Sequence, residues 1–260
     1  MTPLRPAKPL TGLRVLVPRG GSYGENVAAI LRSYGATAVV APMINFAMPE
    51  DPAPLSSALE RLEAGHYDWF VVASGTTVDV LNSHGVQIPD STRIACVGET
   101  TSAALSLAGY PVDFAPELDN SLRGLIREWP ESVKSGRVLA PQPDLSEPNL
   151  LEGLTDLGLD VDFVVAYRTV GVQVSERVAA DVASGRIGAI LISSGSVARQ
   201  VQAQLAPLPE KTIVACIGPR TAFDARAAGL TVDLIAESRT AEALVESLAE
   251  HMLVHADASG

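Results

Sequence analysis

The sequence predicts an α/β protein made of two parallel-sheet domains, and three observations carry the prediction. Apolar strand-like runs alternate with helical segments along the whole chain. The stretch Ile94–Glu117, IACVGETTSAALSLAGYPVDFAPE, returns without a gap 120 positions later as Val214–Glu237, VACIGPRTAFDARAAGLTVDLIAE. Each copy reads as strand, glycine turn, helix and strand, the right-handed crossover from which parallel sheets are built.

The repeat is specific at the level of residues. Ala95, Cys96, Gly98, Thr101, Ala108, Gly109, Val112, Asp113 and Glu117 all meet an identical residue at the 120-position shift, and Ala73-Ser74-Gly75 falls on Ser193-Ser194-Gly195. A shift of 123 sets Arg14-Val15-Leu16 on Arg137-Val138-Leu139, Pro18 on Pro141 and Gly35 on Gly158. The chain is two versions of one unit, and such repetition fixes an architecture before any local signal does.

In order, Leu13–Val17 is the first expected strand, with Pro18–Gly24 as its loop and a helix from Glu25 to Tyr34 closing on Gly35. Thr37–Ala41 is a strand that runs on through Phe46. A helix spans Leu55–Ala64, a strand Asp68–Ala73, and Ser74-Gly75-Thr76-Thr77 opens a helix to Ser83. Ile94–Val97 is a short apolar run suited to a strand covered on both faces. Glu99–Ala108 is helical, with Thr100 or Thr101 able to cap it and Gly109 past its end. Val112–Phe114 begins another strand, and Ser121–Trp129 is a helix. The second copy restarts with a strand at Arg137–Ala140, a loop Pro141–Asp144 and a helix Leu145–Leu157. A long strand, Val161–Val170, corresponds to Val39–Phe46. A helix (Glu176–Ser184), a strand (Ala189–Ser193), a helix (Ser196–Leu205), the repeated unit and a helix (Ala241–Leu253) finish the chain, giving five strands per domain.

Composition narrows the function. Of the 260 residues 47% are apolar and 19% charged, enough for a proper core in each half. No apolar run approaches the roughly 18 residues of a membrane span. The opening MTPLRPAKPLTG lacks the apolar segment of a signal peptide, so a cytoplasmic protein is expected. Net charge is −11 with no basic cluster, which disfavours nucleic acid. Cys96 and Cys216 occupy matching strand positions, belong in separate sheets and read as small buried hydrophobes. The four histidines are scattered without ligand spacing, so no metal site is expected.

The first loop does not make a dinucleotide fingerprint. Arg19 stands where the first glycine of G-x-G-x-x-G is needed, and Ala41-Pro42 stands where an acid is needed. Ser74 and Ser194 lack a histidine near a comparable strand end and read as helix caps. Capping and binding need not compete, because ligands of open α/β sheets sit beyond the carboxyl ends of strands, where helix N-termini offer free N–H groups. The loops there are Arg19–Ser22, Ser74–Thr77, Gly98–Thr101, Pro141–Asp144, Ser194–Ser196 and Gly218–Thr221. Rich in Ser, Thr and Gly and poor in acid, they suit an anion with many carboxylates or phosphates. Charge elsewhere on the surface is screened beyond roughly 8 Å. Tyr167 has Ile44 as its partner in the first copy, so the repeat does not explain it. It is either a packing residue or a phenol that faces a ligand.

These residues resemble the uroporphyrinogen-III synthase family. The likeness rests on Leu16-Val17-Pro18-Arg19, Asp68-Trp69-Phe70 running into Ser74, Val97-Gly98-Glu99-Thr100-Thr101 and Tyr167-Arg168. Ile217-Gly218-Pro219-Arg220-Thr221 and Gly229…Val232-Asp233 complete it, over residues 12 to 250. One departure is Gly195, followed by a single Ser196 before Val197, where relatives often carry a proline and an extra small residue.

The resemblance implies two flavodoxin-like domains joined by a two-stranded linker. Residues 1–41 with 171–260 would form one domain and 48–162 the other, with 42–47 and 163–170 as linker strands. Periodicity alone leaves a plain split near residue 134 equally open. The implied reaction is closure of the linear tetrapyrrole hydroxymethylbilane to uroporphyrinogen III, with loss of its hydroxyl and inversion of the last pyrrole ring. No cofactor is implied. Closure without enzyme gives the uninverted isomer, so positioning a reactive cation matters more than a strong acid–base pair. By similarity Tyr167 is the catalytic candidate. Arg19, Ser74, Gly75, Thr76, Thr101, Gln142, Ser194, Gly195, Ser196, Pro219 and Thr221 are the substrate-binding candidates. The expected partner is the small tetrapyrrole substrate, with no nucleic acid and no membrane, for a monomeric chain. The rival reading is a non-catalytic two-domain binding or regulatory protein that keeps the fold and a polyanion cleft.

Overall fold

The alternation of strands and helices is realised as two parallel-dominated sheets in the computed structural model, which describes residues 8–144 and 149–257. The start of the polar opening and the first residues of the helix expected from Leu145 lie outside the described residues. The chain opens with β1 (Arg14–Val17), α1 (Gly21–Ser33), β2 (Thr37–Val40), β3 (Ile44–Ala47) and α2 (Ala53–Glu63). Then come β4 (Trp69–Val72), α3 (Gly75–His84), β5 (Arg93–Cys96), α4 (Glu99–Leu107) and α5 (Leu122–Arg127). β6 (Arg137–Pro143), α6 (Asn149–Asp156), β7 (Asp160–Gly171), α7 (Glu176–Ala183) and β8 (Ala189–Ile192) follow. α8 (Gly195–Leu205), β9 (Ile213–Cys216), α9 (Pro219–Ala227), β10 (Leu234–Ile235) and α10 (Ala241–Asp257) complete the order.

The chain forms two compact units, one from its two ends, up to Asn45 and from Val170, and the other from Phe46–Thr169. In the first the strand order is β10-β9-β8-β1-β2; in the second it is β3-β7-β6-β4-β5. Strands related by the repeat occupy related places: β1 and β6, β8 and β4, β9 and β5. Side chains alternate between the faces as period two requires. In β4, Phe70 and Val72 enter one apolar layer while Trp69 and Val71 enter the opposite one. Leu16 and its neighbours Val15 and Val17 divide the same way across the first sheet. Each fully buried side chain of this size contributes about 1.5–3 kcal/mol. Cys96 and Cys216 are buried free thiols in separate sheets, and burial pushes Cys216 up to about 11.

Several local expectations are corrected. α1 starts at Gly21, four residues before the expected Glu25, because the loop glycines themselves build its first turn. A Cβ at Gly24 would collide with the Arg19 carbonyl oxygen. The strand expected to run from Thr37 through Phe46 is broken at Pro42, and its halves join different sheets as β2 and β3. Pro141-Gln142-Pro143, expected as a loop, continues β6, with Pro141 opposite Val164 and Gln142 opposite Val165. Neither proline blocks this, since φ near −65° is compatible with an extended chain and the carbonyls still accept. Neither Thr100 nor Thr101 caps α4. Gly98 is the residue before the helix, so both threonines fall within its first turn. The Val112–Phe114 strand shrinks to one bridge between Ala95 and Phe114.

One irregularity directs a side chain. Between Gln142 and Pro143 the pairing with β7 slips, so that Pro143 faces Tyr167 and Ala166 is the extra residue. Val164 and Ala166 lie on the α3 side of the sheet, and without the slip Tyr167 would point to the other side. The bulge places Tyr167 in the same layer as Ala166.

Candidate functional site

The segment that follows β4 meets the later half of β7 at Ser74 and Tyr167. Ser74 has extended backbone before α3, and its Oγ accepts the Thr77 N–H at 3.3 Å, a regular N-cap. The same oxygen lies 3.0 Å from the Tyr167 hydroxyl and 3.3 Å from Thr77 Oγ1. Tyr167 is 6% exposed and Thr77 2%, so the half-buried Ser74 joins two buried hydroxyls in a three-hydroxyl chain. The Tyr167 ring stands edge-on to Phe46, with centroids 5.2 Å apart. Its carbonyl accepts the Asp144 N–H at 3.0 Å, Thr169 N–H donates to Asp144 Oδ1 at 3.2 Å, and Arg168 pairs with Glu50 at 2.8 Å. The tyrosine both packs and directs its hydroxyl to a helix start.

The other candidates of this unit surround that chain of hydroxyls less directly. Gly75 and Thr76 form the first turn of α3, and no atom lies within 4 Å of where a Gly75 Cβ would stand. Thr101 is 4% exposed within the first turn of α4, behind Gly98, whose N–H donates to Asn120 Oδ1 at 2.7 Å. Gln142 is 4% exposed, and its Nε2 has no hydrogen-bond partner among the described residues. An uncompensated buried amide is costly, which makes Gln142 a donor in search of an acceptor.

In the other unit Ser194 caps α8 through the Val197 N–H at 3.3 Å. Gly195 is required by packing: a Cβ there would stand 2.5 Å from Asp224 Oδ2 of α9. Ser196 Oγ accepts from Arg199 at 3.2 Å. Pro219 begins α9, and Thr221 is 9% exposed in its first turn. The Arg19 guanidinium lies over the Tyr23 ring, 4.9 Å from its centroid. Burial pushes the Tyr23 phenol up and Arg19 draws it back. The Ser193 hydroxyl faces that phenol without reaching hydrogen-bond geometry, and both oxygens are sealed from solvent without a partner among the described residues.

Thr77, Asn120, Tyr23 and Ser193 therefore join the candidates that sequence reasoning singled out. Ser74-x-x-Thr77 spacing could have flagged Thr77, since positions three apart share a helix face. Nothing local announces the other three. Chemically, each unit presents helix N-termini and hydroxyls of the kind that donate to oxygen anions, and the unit of Phe46–Thr169 adds the buried Gln142 amide and the Tyr167 phenol on its hydroxyl chain. Among the described residues no group of His, Cys, Asp or Glu is arranged to hold a metal, and no helix is long and apolar enough to cross a membrane.

Residues 25–246 match the family model described as uroporphyrinogen-III synthase HemD. The porphyrin biosynthesis protein HemD of Ruminiclostridium josui is 27% identical over 252 residues, which cover 94% of this chain and 49% of that protein. The chain thus spans about half the length of this curated relative. A mutant uroporphyrinogen III synthase from Thermus thermophilus superposes with a TM-score of 0.61 at 17% identity, covering 94% of this chain and 99% of its own. The uroporphyrinogen-III synthetase of Helicobacter pylori gives 0.60 at 14% identity, covering 92% and 99%. At these identities the two structures speak for the fold.

Proposed function

The chain belongs to the uroporphyrinogen-III synthase family, and we propose that it closes hydroxymethylbilane to uroporphyrinogen III, with inversion of the last pyrrole ring and loss of water. The observation that carries the reading is the Tyr167 hydroxyl, turned by the β7 bulge onto Ser74 at the start of α3. The C–O bond of the substrate's hydroxymethyl group breaks with its electron pair leaving on oxygen, which takes the Tyr167 proton and departs as water. The carbocation left is stabilised by the pyrrole nitrogen, and the already substituted α-carbon of the last ring attacks it. The bond from that carbon to its neighbouring methylene breaks to leave a second nitrogen-stabilised cation. The ring's other α-carbon then bonds to that methylene and releases a proton that restores the phenol. The donors for substrate carboxylates are Gly75, Thr76, Thr101 and Gln142 in one unit and Arg19, Ser194, Gly195, Ser196 and Thr221 in the other. Ser74, whose hydroxyl is held by Thr77 and Tyr167, and Pro219, which has no N–H to give, flank them. Held in place, the cation is steered to the inverted closure.

In this reading the chain comprises flavodoxin-like domains 1–41 plus 171–260 and 48–162, joined by strands 42–47 and 163–170. It acts as a cytoplasmic monomer without a cofactor. The test supplies hydroxymethylbilane generated in place and separates the products by isomer. Uroporphyrinogen III above the spontaneous background supports the reading. The uninverted isomer alone, at the rate seen without protein, supports the non-catalytic alternative.

A further inference from the structure

Ser74 stands among the substrate-binding candidates, yet its hydroxyl is fully engaged within the protein. A serine hydroxyl has one proton to give and two lone pairs to offer. Here three polar atoms surround it: Thr77 N–H at 3.3 Å, Thr77 Oγ1 at 3.3 Å and the Tyr167 hydroxyl at 3.0 Å. The N–H occupies one lone pair. If Thr77 Oγ1–H takes the other, the Ser74 proton goes to its shortest contact, Tyr167.

We infer that Ser74 is a positioning residue that donates its proton to Tyr167, so that Thr77, Ser74 and Tyr167 form a directed hydroxyl chain ending at the reacting oxygen. The inference rests on the proposed role of Tyr167. With Ser74 as donor, the phenol's own proton is directed to a partner other than Ser74. When that proton passes to the departing hydroxyl, the phenolate keeps the Ser74 hydrogen bond, now charge-assisted and stronger. Ser74 Oγ is in turn held by Thr77 at the positive end of α3. The repeat supplies a contrast: Ser194 makes the same cap through Val197 N–H, and among the described residues no hydrogen bond joins it to a tyrosine. Capping alone explains Ser194; it leaves the 3.0 Å contact of Ser74 unexplained.

A double-mutant cycle on the full chain separates the roles. Ser74→Ala should lower kcat about tenfold with KM nearly unchanged, and should cost less than about twofold when Tyr167 is already Phe. Ser74→Thr, which keeps hydroxyl and cap, should restore most of the rate. Ser121→Ala removes a comparable cap in the same unit, where Ser121 Oγ accepts Gly124 N–H at 3.2 Å. It sets the stability cost of a lost cap and should leave turnover alone. Equal losses from Ser74→Ala in both backgrounds would make Ser74 a cap only and overturn the inference, while the role of Tyr167 stands. If Tyr167→Phe itself costs nothing, that role fails and the inference fails with it. A readout independent of turnover is the phenolate absorbance of Tyr167, taken as the difference between chains with Tyr and Phe at 167. Ser74→Ala should raise its titration by about one pH unit. No rise, or a fall, would mean that Ser74 accepts, and the direction of the chain would be wrong.

Discussion

Asp113 Oδ2 accepts the N–H of Ile94 at 2.7 Å, and the relationship recurs in the repeat, where Asp233 Oδ2 accepts the N–H of Val214 at 2.8 Å. Thr92 and Thr212 recur likewise: their N–H groups reach Pro89 and Pro209, and their hydroxyls reach the Tyr67 and Ile187 carbonyls. The repeated Val-Asp pair thus serves the same purpose twice: the aspartate takes an N–H of β5 beside the bridge at Phe114, and of β9 beside the short β10. Asp113→Ala and Asp233→Ala each leave such a donor unmet, and each should cost about 1–3 kcal/mol in denaturant unfolding. The two losses should add, because the sites share no partner. A cost below a few tenths at either site would show that water replaces the carboxylate freely.

Gly98 and Gly218 are identical in the repeat but not equivalent. Gly98 has φ 94° and ψ 131°, a conformation L-residues rarely adopt, although there is room for a Cβ. Gly218 has φ 177°, open to any residue, and a Cβ there would press on Arg239 Cγ at 3.2 Å, a flexible neighbour. Gly98→Ala should therefore cost about 1–3 kcal/mol, and Gly218→Ala clearly less. Equal melting-temperature losses would contradict this account.

Two carboxyls tie stability to pH. The N–H groups of Leu118, Glu117 and Asp119 hold Glu128 below the usual carboxylate range, outweighing the opposing effect of burial. For Asp181, burial alone would raise the pKa, but hydrogen bonds from Arg186 and Arg14 more than offset it, so this group too is lowered. A folded pKa below the unfolded one gives stabilisation that is complete above the ordinary value, about 4, and is lost as pH falls through the folded value. Unfolding midpoints should fall from about pH 5 downward. Glu128→Gln and Asp181→Asn should be less stable at neutral pH and approach the parent in acid. Curves that stay parallel would remove both groups from the acid response.

Most of the fold is legible because it depends on apolar runs and on the repeat. β4, β5, β8 and β9 are buried runs bounded by turn residues, and the 120-position match pairs them without any structural information. What escapes is set by contacts remote in sequence. Pro141-Gln142-Pro143 looks like a loop by composition and becomes strand because β7 lies alongside. The site is less legible for the same reason. Tyr167 stands out as the residue the repeat leaves unexplained, but its direction depends on a one-residue slip between β6 and β7. Thr101 and Thr221, repeated and polar, look like lining residues, yet both are almost wholly covered. The unmet amide of Gln142 depends on a neighbourhood that its own flanking prolines do not reveal.

The phenol of Tyr167 provides the sharpest test of the proposed chemistry. Tyr167→Phe keeps the ring against Phe46 and removes only the hydroxyl that meets Ser74. If that hydroxyl gives its proton to the departing oxygen, the lost interaction belongs to the transition state, so kcat should fall while KM moves little. A charge-assisted hydrogen bond contributes about 1.5–3 kcal/mol, which corresponds to roughly a ten- to hundredfold loss in rate. Activity should persist, because the remaining donors still hold the chain for closure. Thr101→Ala and Thr221→Ala should each reduce the rate less, since in the proposed reading several donors share the carboxylates, and both threonines are covered. Rates and product isomers from hydroxymethylbilane decide the matter. A Phe variant that turns over at the parent rate with an unchanged isomer ratio makes Tyr167 a packing residue, and departure of the hydroxyl must then be assisted elsewhere.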